Sequence, residues 1–334
     1  MLLTLKSKNA AQQMPYPQDT HGKVQYPNEL LTTLRQGDPV DETLHVITVI
    51  SNPCGFRRRI QLAKEFIIRM EKEPHIRFYV VELSYSGRFE LTNPRNPRHL
   101  RLRADVPLWH KENMVNIGVR HLLPKDWKCF AWIDADIEFE NPNWALDALK
   151  ILNAGKDIVQ LWSHCDDMDK KQHTMKVFQS FAYQYCKRRD YRQDQNFWHP
   201  GYAWAITREA YERIGGLYEL SILGSGDHNM AMALLGYESL NCQTSRGYKK
   251  SLEIFRHNCS LRLGYVPGVI RHHFHGSKKN RRYHDRWKIL VEHQYDPSIH
   301  ITRTPMGILV PTEKCPKKLL RDIFMYFHER NEDE

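Results

Sequence analysis

The chain has no long apolar run. Its longest uncharged apolar stretches, such as Leu263 to Ile270, fall far short of the ~20 residues that span a bilayer, so no membrane helix is expected. The N-terminus turns polar at Lys6, Ser7, Lys8 and Asn9, and five residues cannot form the core of a secretory signal. The seven cysteines (54, 129, 165, 186, 242, 259 and 315) contain no C-x-x-C pair. This odd, unpatterned set argues against a disulfide framework and a cysteine-only zinc site, and makes the cytoplasm the expected compartment. There is no G-x-x-x-x-G-K-[ST] loop, no strand-linked G-x-G-x-x-G, no G-x-S-x-G elbow and no H-E-x-x-H helix. P-loop hydrolysis, Rossmann dinucleotide binding, α/β-hydrolase chemistry and zinc proteolysis are therefore disfavoured. Neither an internal repeat nor a low-complexity tract is visible.

What is present is ordinary globular composition: 334 residues, 41% hydrophobic and 26% charged. That allows one large domain or two modest ones. The formal charge of +10 suggests an anionic partner such as nucleic acid or nucleotide phosphates, with simple solubility as the plain alternative.

Residues 1–43 read as an N-terminal arm with four prolines and one short helix near Glu29–Arg35. His45–Ser51, rich in β-branched residues, is the first strand, and the turn Asn52-Pro53-Cys54-Gly55 follows. Apolar residues near a 3.6 period predict a helix over Arg58–Glu73, and Phe78–Leu83 is the next strand. Strand, helix, strand predicts a βαβ unit and a parallel sheet. Residues 84–106 read as irregular and basic. Helices are expected at Lys111–Leu123, Asn143–Leu152, Gln172–Arg189, Arg208–Ile214, His228–Leu235 and Lys317–Arg330. Strands are expected at Cys129–Ile133, Ile158–Trp162 and Gly201–Ile206, and the polar stretch Asp190–Asn196 should break the helix before it.

Four stretches could carry chemistry. Asp134-Ala135-Asp136 follows the apolar strand CFAWI. Two carboxylates at i, i+2 beyond a parallel strand share one face and can hold a divalent cation; the alternative is a pair of turn aspartates. A second such tripeptide, Asp167-Met168-Asp169, lies in a polar run and reads as a solvated loop. Arg271-His272-His273-Phe274-His275 offers imidazole ligands. If that stretch is extended, His273 and His275 share a face and His272 points away. Gly224-Ser225-Gly226-Asp227-His228 opens a helix, with Asp227 either a general base or an N-cap. Lys278–Lys288 interleaves basic residues with Tyr283 and Trp287, as a diphosphate or nucleic-acid patch would, or as a solvated helix face would.

In this order the stretches resemble the nucleotide-sugar glycosyltransferases of the GT-A class, over about residues 44–290. His45–Pro53 is similar to that family's first strand and nucleotide-binding turn. Trp109–Asn113 with Asn116–Gly118 is similar to its Asn/Lys-rich helix, and Trp132–Asp136 to its metal-binding D-x-D. Gly201–Leu235 resembles the region before the catalytic acid of β-1,4-galactosyltransferase-like enzymes. Those enzymes usually show Gly-Gly-Glu-Asp; here Ser225 replaces a glycine and Gly226 the glutamate. The chain also resembles phage and giant-virus glycosyltransferases and the DNA glucosyltransferases that make base J, through Trp109–Gly118, Ala203-Trp204, Gly224–His228 and His272–Trp287.

The resemblance implies one GT-A-like α/β domain, a mixed, mostly parallel sheet flanked by helices. Residues 44–140 would bind the nucleotide-sugar donor, 141–290 the acceptor, and 291–334 would be a C-terminal extension with a helix. It implies Mn²⁺ or Mg²⁺ held by Asp136 and His275, with His273 as the alternative histidine. Asn52, Glu82, Lys111, Asp134, Lys278 and Arg282 would neighbour the donor, and Asp227 would be the catalytic base of an inverting transfer. The acceptor it implies is a hydroxymethyl pyrimidine in DNA, in a host's cytoplasm if the source is viral. The rivals are a cytosolic glycan or lipid-linked saccharide, a non-catalytic nucleic-acid-binding module and a metal-dependent nuclease. Oligomeric state is not legible.

Overall fold

β-Branched and aromatic residues dominate the strands that organise the molecule. In the computed structural model, residues 24, 26–187, 198–237, 244–282 and 286–334 are described. The first 23 residues of the arm, the stretch Asp190–Asn196, Cys242, and Tyr283, His284 and Asp285 of the basic patch lie outside them. Helix α1 (Asn28–Gln36) precedes β1 (Leu44–Ser51), α2 (Arg57–Met70) and β2 (Ile76–Ser84). β1 and β2 pair in parallel, Leu44 opposite Ile76, so the expected βαβ unit forms. β3 (His99–Arg103) adds a parallel edge strand inside the segment read as irregular. α3 (Lys111–Leu122) leads into β4 (Cys129–Ile133), which pairs in parallel with the other side of β1.

β5 (Ile137–Phe139), α4 (Trp144–Asn153) and β6 (Ile158–Gln160) follow. Next come β7 (His164–Met168) and β8 (Thr174–Ser180), an antiparallel pair, then the short α5 (Phe181–Cys186). Residues 172–180 therefore are not helical, contrary to the expectation. β8 alternates in burial towards its end, and its pairing with β7 outweighs the helix-forming Gln, Met and Lys it contains. β9 (Trp198–His199), β10 (Ala203–Thr207), α6 (Arg208–Ile214), α7 (Gly226–Leu234) and α8 (Arg246–Asn258) come next. β11 (Leu263–Tyr265), β12 (Val269–His272), α9 (Trp287–Glu292), α10 (Pro297–His300), β13 (Ile301–Arg303), β14 (Leu309–Pro311) and α11 (Lys317–Glu329) complete the chain.

The main sheet has the order β11-β6-β10-β4-β1-β2-β3, and β10 alone runs against its neighbours. It is a mixed, mostly parallel sheet with helices on both faces. Ile47 and Val81 pack with Val115 and Ile117 of α3 on one face. Val46, Val80 and Phe78 pack with Phe66 of α2 and Ala148 and Leu149 of α4 on the other. A second sheet has the order β5-β12-β7-β8-β9. Its register matters for chemistry: β12 lies between β5 and β7, with His272 opposite Ile137 on one side and Asp167 on the other. No described helix is long and apolar enough to cross a membrane.

Candidate active site

β1 and β4 run in parallel side by side, so their C-terminal ends open one crevice, the place where ligands bind in open α/β sheets. Asp134 follows β4 directly, its N–H donating to the Tyr202 carbonyl at 2.8 Å. The crevice is lined by Arg59, Trp109, Lys111, Glu112, Asp134, Asp136, His199, Asp227, His272, His275, Arg281, Arg286 and Arg330, among others. Residues far apart in sequence thus meet in one pocket.

Its centre is a three-residue cluster. One ligand atom from each of Asp136, His272 and His275 lies within 4.8 Å of the others. His275 Nε2 is 2.8 Å from Asp136 Oδ2 and His272 Nε2 is 3.9 Å from it. Buried carboxylates face the far side of both rings. His272 Nδ1 lies 2.8 Å from Asp167 Oδ1, the cross-strand neighbour set by the β7–β12 register. Asp167 is only 1% exposed and is also paired with Lys278. His275 Nδ1 lies 3.6 Å from Glu332, which in turn binds Arg59 at 2.5 Å and Arg330 at 2.9 Å. With Nδ1–H of His272 donated to Asp167, its Nε2 lone pair faces the cluster, the usual way a carboxylate fixes the tautomer of a ligating histidine. Asp136 Oδ1 and His272 Nε2 are buried there without a hydrogen-bond partner. Two orphaned acceptors on converging groups fit a divalent cation, and two imidazoles with a carboxylate suit Mn²⁺ or another first-row metal better than Mg²⁺, which prefers oxygen ligands.

Charge is arranged around this cluster. Burial would raise the Asp136 carboxyl, but His275, His272 and Arg281 outweigh it and hold the group far below the usual carboxylate range. Lys111 Nζ is 2.5 Å from Asp134 Oδ1. Burial alone would lower the Lys111 ammonium; Asp134, Asp227 and Glu112 reverse this and push it above its ordinary value, so it stays charged. Arg281 Nη2 reaches His275 Nε2 at 2.8 Å, and Arg286 contacts Ser225 Oγ and, at 3.2 Å, the Tyr326 hydroxyl.

Asp227 is the second residue of α7, and Ser225 occupies the N-cap position at φ 69° without a side-chain cap. Asp227 is therefore not the cap. Its Oδ1 accepts from the His228 N–H at 2.8 Å, and a Cβ added at Gly201 would lie 2.8 Å from its Oδ2. Burial opposes ionisation of Asp227, but Lys111 and the His228 N–H prevail and lower its pKa, so it is a carboxylate at neutral pH. His199 is neutral there, pushed down to about 3 chiefly by burial.

Of the sequence-derived candidates, Lys111, Asp134, Asp136, Asp227 and His275 line the crevice. His273 does not join the cluster: its Nε2 faces Glu138 at 3.8 Å, and His272 takes the position expected of it. β12 ends at His272, so the strand alternation assumed for 273–275 has no strand to continue it. Asn52 binds the backbone of Phe56 through both side-chain groups, each at 2.9 Å, and shapes the turn after β1. Glu82 accepts from the backbone N–H groups of Glu90 and Thr92 at 2.7 and 2.9 Å, and so fastens the loop before β3. Lys278 stands behind the cluster on Asp167, and Arg282 is an exposed partner of Glu329 at 2.8 Å. Asp167, expected in a solvated loop, is a buried strand residue; Asp169 does sit in an exposed turn. Sequence reasoning missed Glu112, His199, Arg59, Arg330 and Glu332. No local pattern marks Glu332, whose partner Arg59 lies 273 residues away.

No protein-family model and no curated protein matches this chain. Among solved structures, it is similar to a mannosyltransferase from Pyrobaculum calidifontis in complex with GDP-Man and Mn²⁺, at 14% identity and a TM-score of 0.41, over 91% of this chain and 76% of that one. It is similar to glucosyl-3-phosphoglycerate synthase from M. tuberculosis at 11% identity and a TM-score of 0.37, over 88% and 95%. It is also similar to the catalytic domain of Drosophila β1,4-galactosyltransferase 7 at 10% identity and a TM-score of 0.35, over 85% and 99%.

Proposed function

We propose that this protein is a metal-dependent nucleotide-sugar glycosyltransferase that works by inverting displacement. The observation that carries this reading is the Asp136–His272–His275 cluster standing in one crevice with Lys111 and Asp227 at the C-terminal edge of β4. Two histidines and one carboxylate could equally hold iron for oxygen chemistry. The surrounding charge argues for an anionic ligand instead. Arg59, Lys111, Arg281, Arg286 and Arg330 line the crevice, so with a bound cation its balance suits a diphosphate.

Asp136, His272 and His275 would hold the cation, and when bound it would neutralise charge on the departing diphosphate. The protein's own groups do the rest. Lys111 and the crevice arginines place fixed positive charge where the diphosphate leaves. Asp227, ionised and held by the His228 N–H, takes the proton of the acceptor hydroxyl as that oxygen attacks the anomeric carbon. The C–O bond to the diphosphate breaks on the opposite face, which inverts the anomeric centre. Residues 44–140 would serve the donor and 141–290 the acceptor, with ligands to the cation coming from both.

For the acceptor we favour a hydroxymethyl pyrimidine in DNA. The charge of +10 supports this, as do the exposed Arg88, Arg95, Arg98 and Arg103 around the β3 edge, where Arg101 lies over the Phe89 ring at 4.8 Å. Arginines and a half-buried aromatic suit a phosphodiester backbone and a base. The test is release of nucleoside diphosphate from pooled sugar donors with Mn²⁺, with and without hydroxymethylated DNA. Release that rises with that DNA and disappears in Asp136→Ala is the expected result. Release that ignores DNA but rises with saccharides moves the acceptor to glycans. Absence of release from every donor overturns the transferase reading in favour of a binding module.

A further inference from the structure

The crevice holds a second carboxyl that this mechanism leaves unused. Glu112, in the first turn of α3, is 7% exposed and lines the crevice. Acids in a first helical turn ordinarily sit in water near the free N–H groups. Glu112 instead packs on the backbone of α7: a Cβ added at Gly226 would lie 2.4 Å from its Cδ and Oε1. No side chain at 226 fits while that carboxyl is there. The next residue is Asp227, and both carboxyl-bearing side chains line the crevice. They also line a small recess of about 10 Å³ together with Trp132, Trp204, Tyr218 and Met230. Trp132 and Trp204 stack there at 6.4 Å and 13°, which gives the recess an apolar wall.

Resting on the transferase reading, we propose that Glu112 is a second carboxyl of the acceptor subsite, holding the acceptor beside the hydroxyl that Asp227 deprotonates. Its protonation gives this role a direction. The groups facing it are Lys111 on its own helix, Asp227 on α7, Asp134 after β4, and Tyr248 on α8. Burial dominates, Lys111 opposes it, Asp227 and Asp134 reinforce it, and the carboxyl is raised to about 7. Below that pH Glu112 is a hydrogen-bond donor next to a carboxylate that is an acceptor, so the two environments divide the roles. The acceptor this pair selects carries a hydrogen-bond-accepting oxygen beside its reacting hydroxyl. Hydroxymethyluracil offers its O4 there, whereas hydroxymethylcytosine offers an amino donor. A sugar with a neighbouring ring hydroxyl also qualifies.

The experiment measures acceptor KM and kcat with DNA containing hydroxymethyluracil or hydroxymethylcytosine and with a saccharide panel. It uses the wild type, Glu112→Ala, Glu112→Gln and Gly226→Ala. Calorimetric binding of UDP and GDP with Mn²⁺, and a thermal melt, report whether each variant is folded. The wild type is expected to favour hydroxymethyluracil at least tenfold, with acceptor KM rising above about pH 7. Glu112→Ala and Gly226→Ala should raise that KM tenfold or more. Glu112→Gln, whose amide can donate at any pH, should keep KM within about threefold and flatten its pH dependence. An unchanged KM in folded Glu112→Ala and Gly226→Ala, while the wild type transfers, overturns this assignment and leaves the transferase reading standing. Preference for hydroxymethylcytosine also overturns it. Failure of the wild type to transfer to any acceptor overturns the transferase reading, and Glu112's role with it.

Discussion

Replacing Asp167 with Asn tests the cluster without touching a ligand. The side chain keeps its shape, so the β7–β12 pairing survives, and an amide oxygen can still accept from His272 Nδ1 at the present 2.8 Å. What changes is charge. A hydrogen bond to an ionised acceptor contributes about 1.5–3 kcal/mol and a neutral one about 0.5–1.5 kcal/mol, so the histidine loses roughly 1–1.5 kcal/mol of orientation. Loss of the ion pair with Lys278 adds little, because that side chain is 48% exposed. At about 1.4 kcal/mol per decade the expected result is a roughly tenfold weaker Mn²⁺ affinity by calorimetry, within the 10–100-fold range for such outer partners. Asp169→Asn, in the exposed turn between β7 and β8, should leave that affinity unchanged. Equal Mn²⁺ affinity in Asp167→Asn and the wild type, with matching thermal melts, would refute the view that His272 is a ligand held by Asp167.

Other consequences are equally direct. Asp227→Asn should bind a nucleotide sugar as the wild type does by calorimetry and lose transfer by about 10²–10⁴-fold, the usual worth of a general base. Glu112 should cost stability at high pH. Its carboxyl is raised to about 7 from 4.5, so below 4.5 both states are protonated and nothing is lost. As pH rises the unfolded chain sheds its proton first, and stability falls until pH passes about 7. The penalty is about 3 kcal/mol there, so Glu112→Gln should gain about 2–3 kcal/mol more over wild type at pH 8 than at pH 5 in urea melts; equal gains would mean the carboxyl titrates normally. If DNA is the acceptor, its binding should weaken steeply with salt, and Arg95→Glu with Arg98→Glu should make that slope shallower by about 0.9 for each phosphate no longer neutralised. An unchanged slope would remove the β3 edge from the DNA path.

Much of the frame was legible because local signals and tertiary need agree. HVITVIS and FYVVEL are buried on both faces, as central parallel strands between helix layers are. The helix between them carries its apolar stripe at the right period, and Phe66 and Met70 reach the core as that stripe requires. Asp134 and Asp136 were legible for the same reason, since a strand end fixes where they emerge. Pairing decided what sequence could not. β3 and β8 are strands because neighbours receive them, and their own residues do not announce it. His272 rather than His273 stands beside Asp136 and His275, because strand alternation was carried to 275, past the end of β12 at His272. Asn52 and Glu82 were named only through the family resemblance, and Asn52 spends its polar atoms on the backbone while Glu82 binds the backbone and the Thr92 hydroxyl of one loop. Glu332 and Glu112 have neighbours set by folding, Arg59 and Gly226, so only the assembled chain reveals them.

The most direct test of the central claim is a crystal structure with Mn²⁺ and a nucleoside diphosphate, with data collected at the manganese absorption edge. The expected result is one strong anomalous peak bounded by Asp136, His272 and His275, with the diphosphate beside it towards Lys111 and Arg281. Manganese bound by His273 and Glu138 instead, or a diphosphate seated away from this crevice, would contradict it.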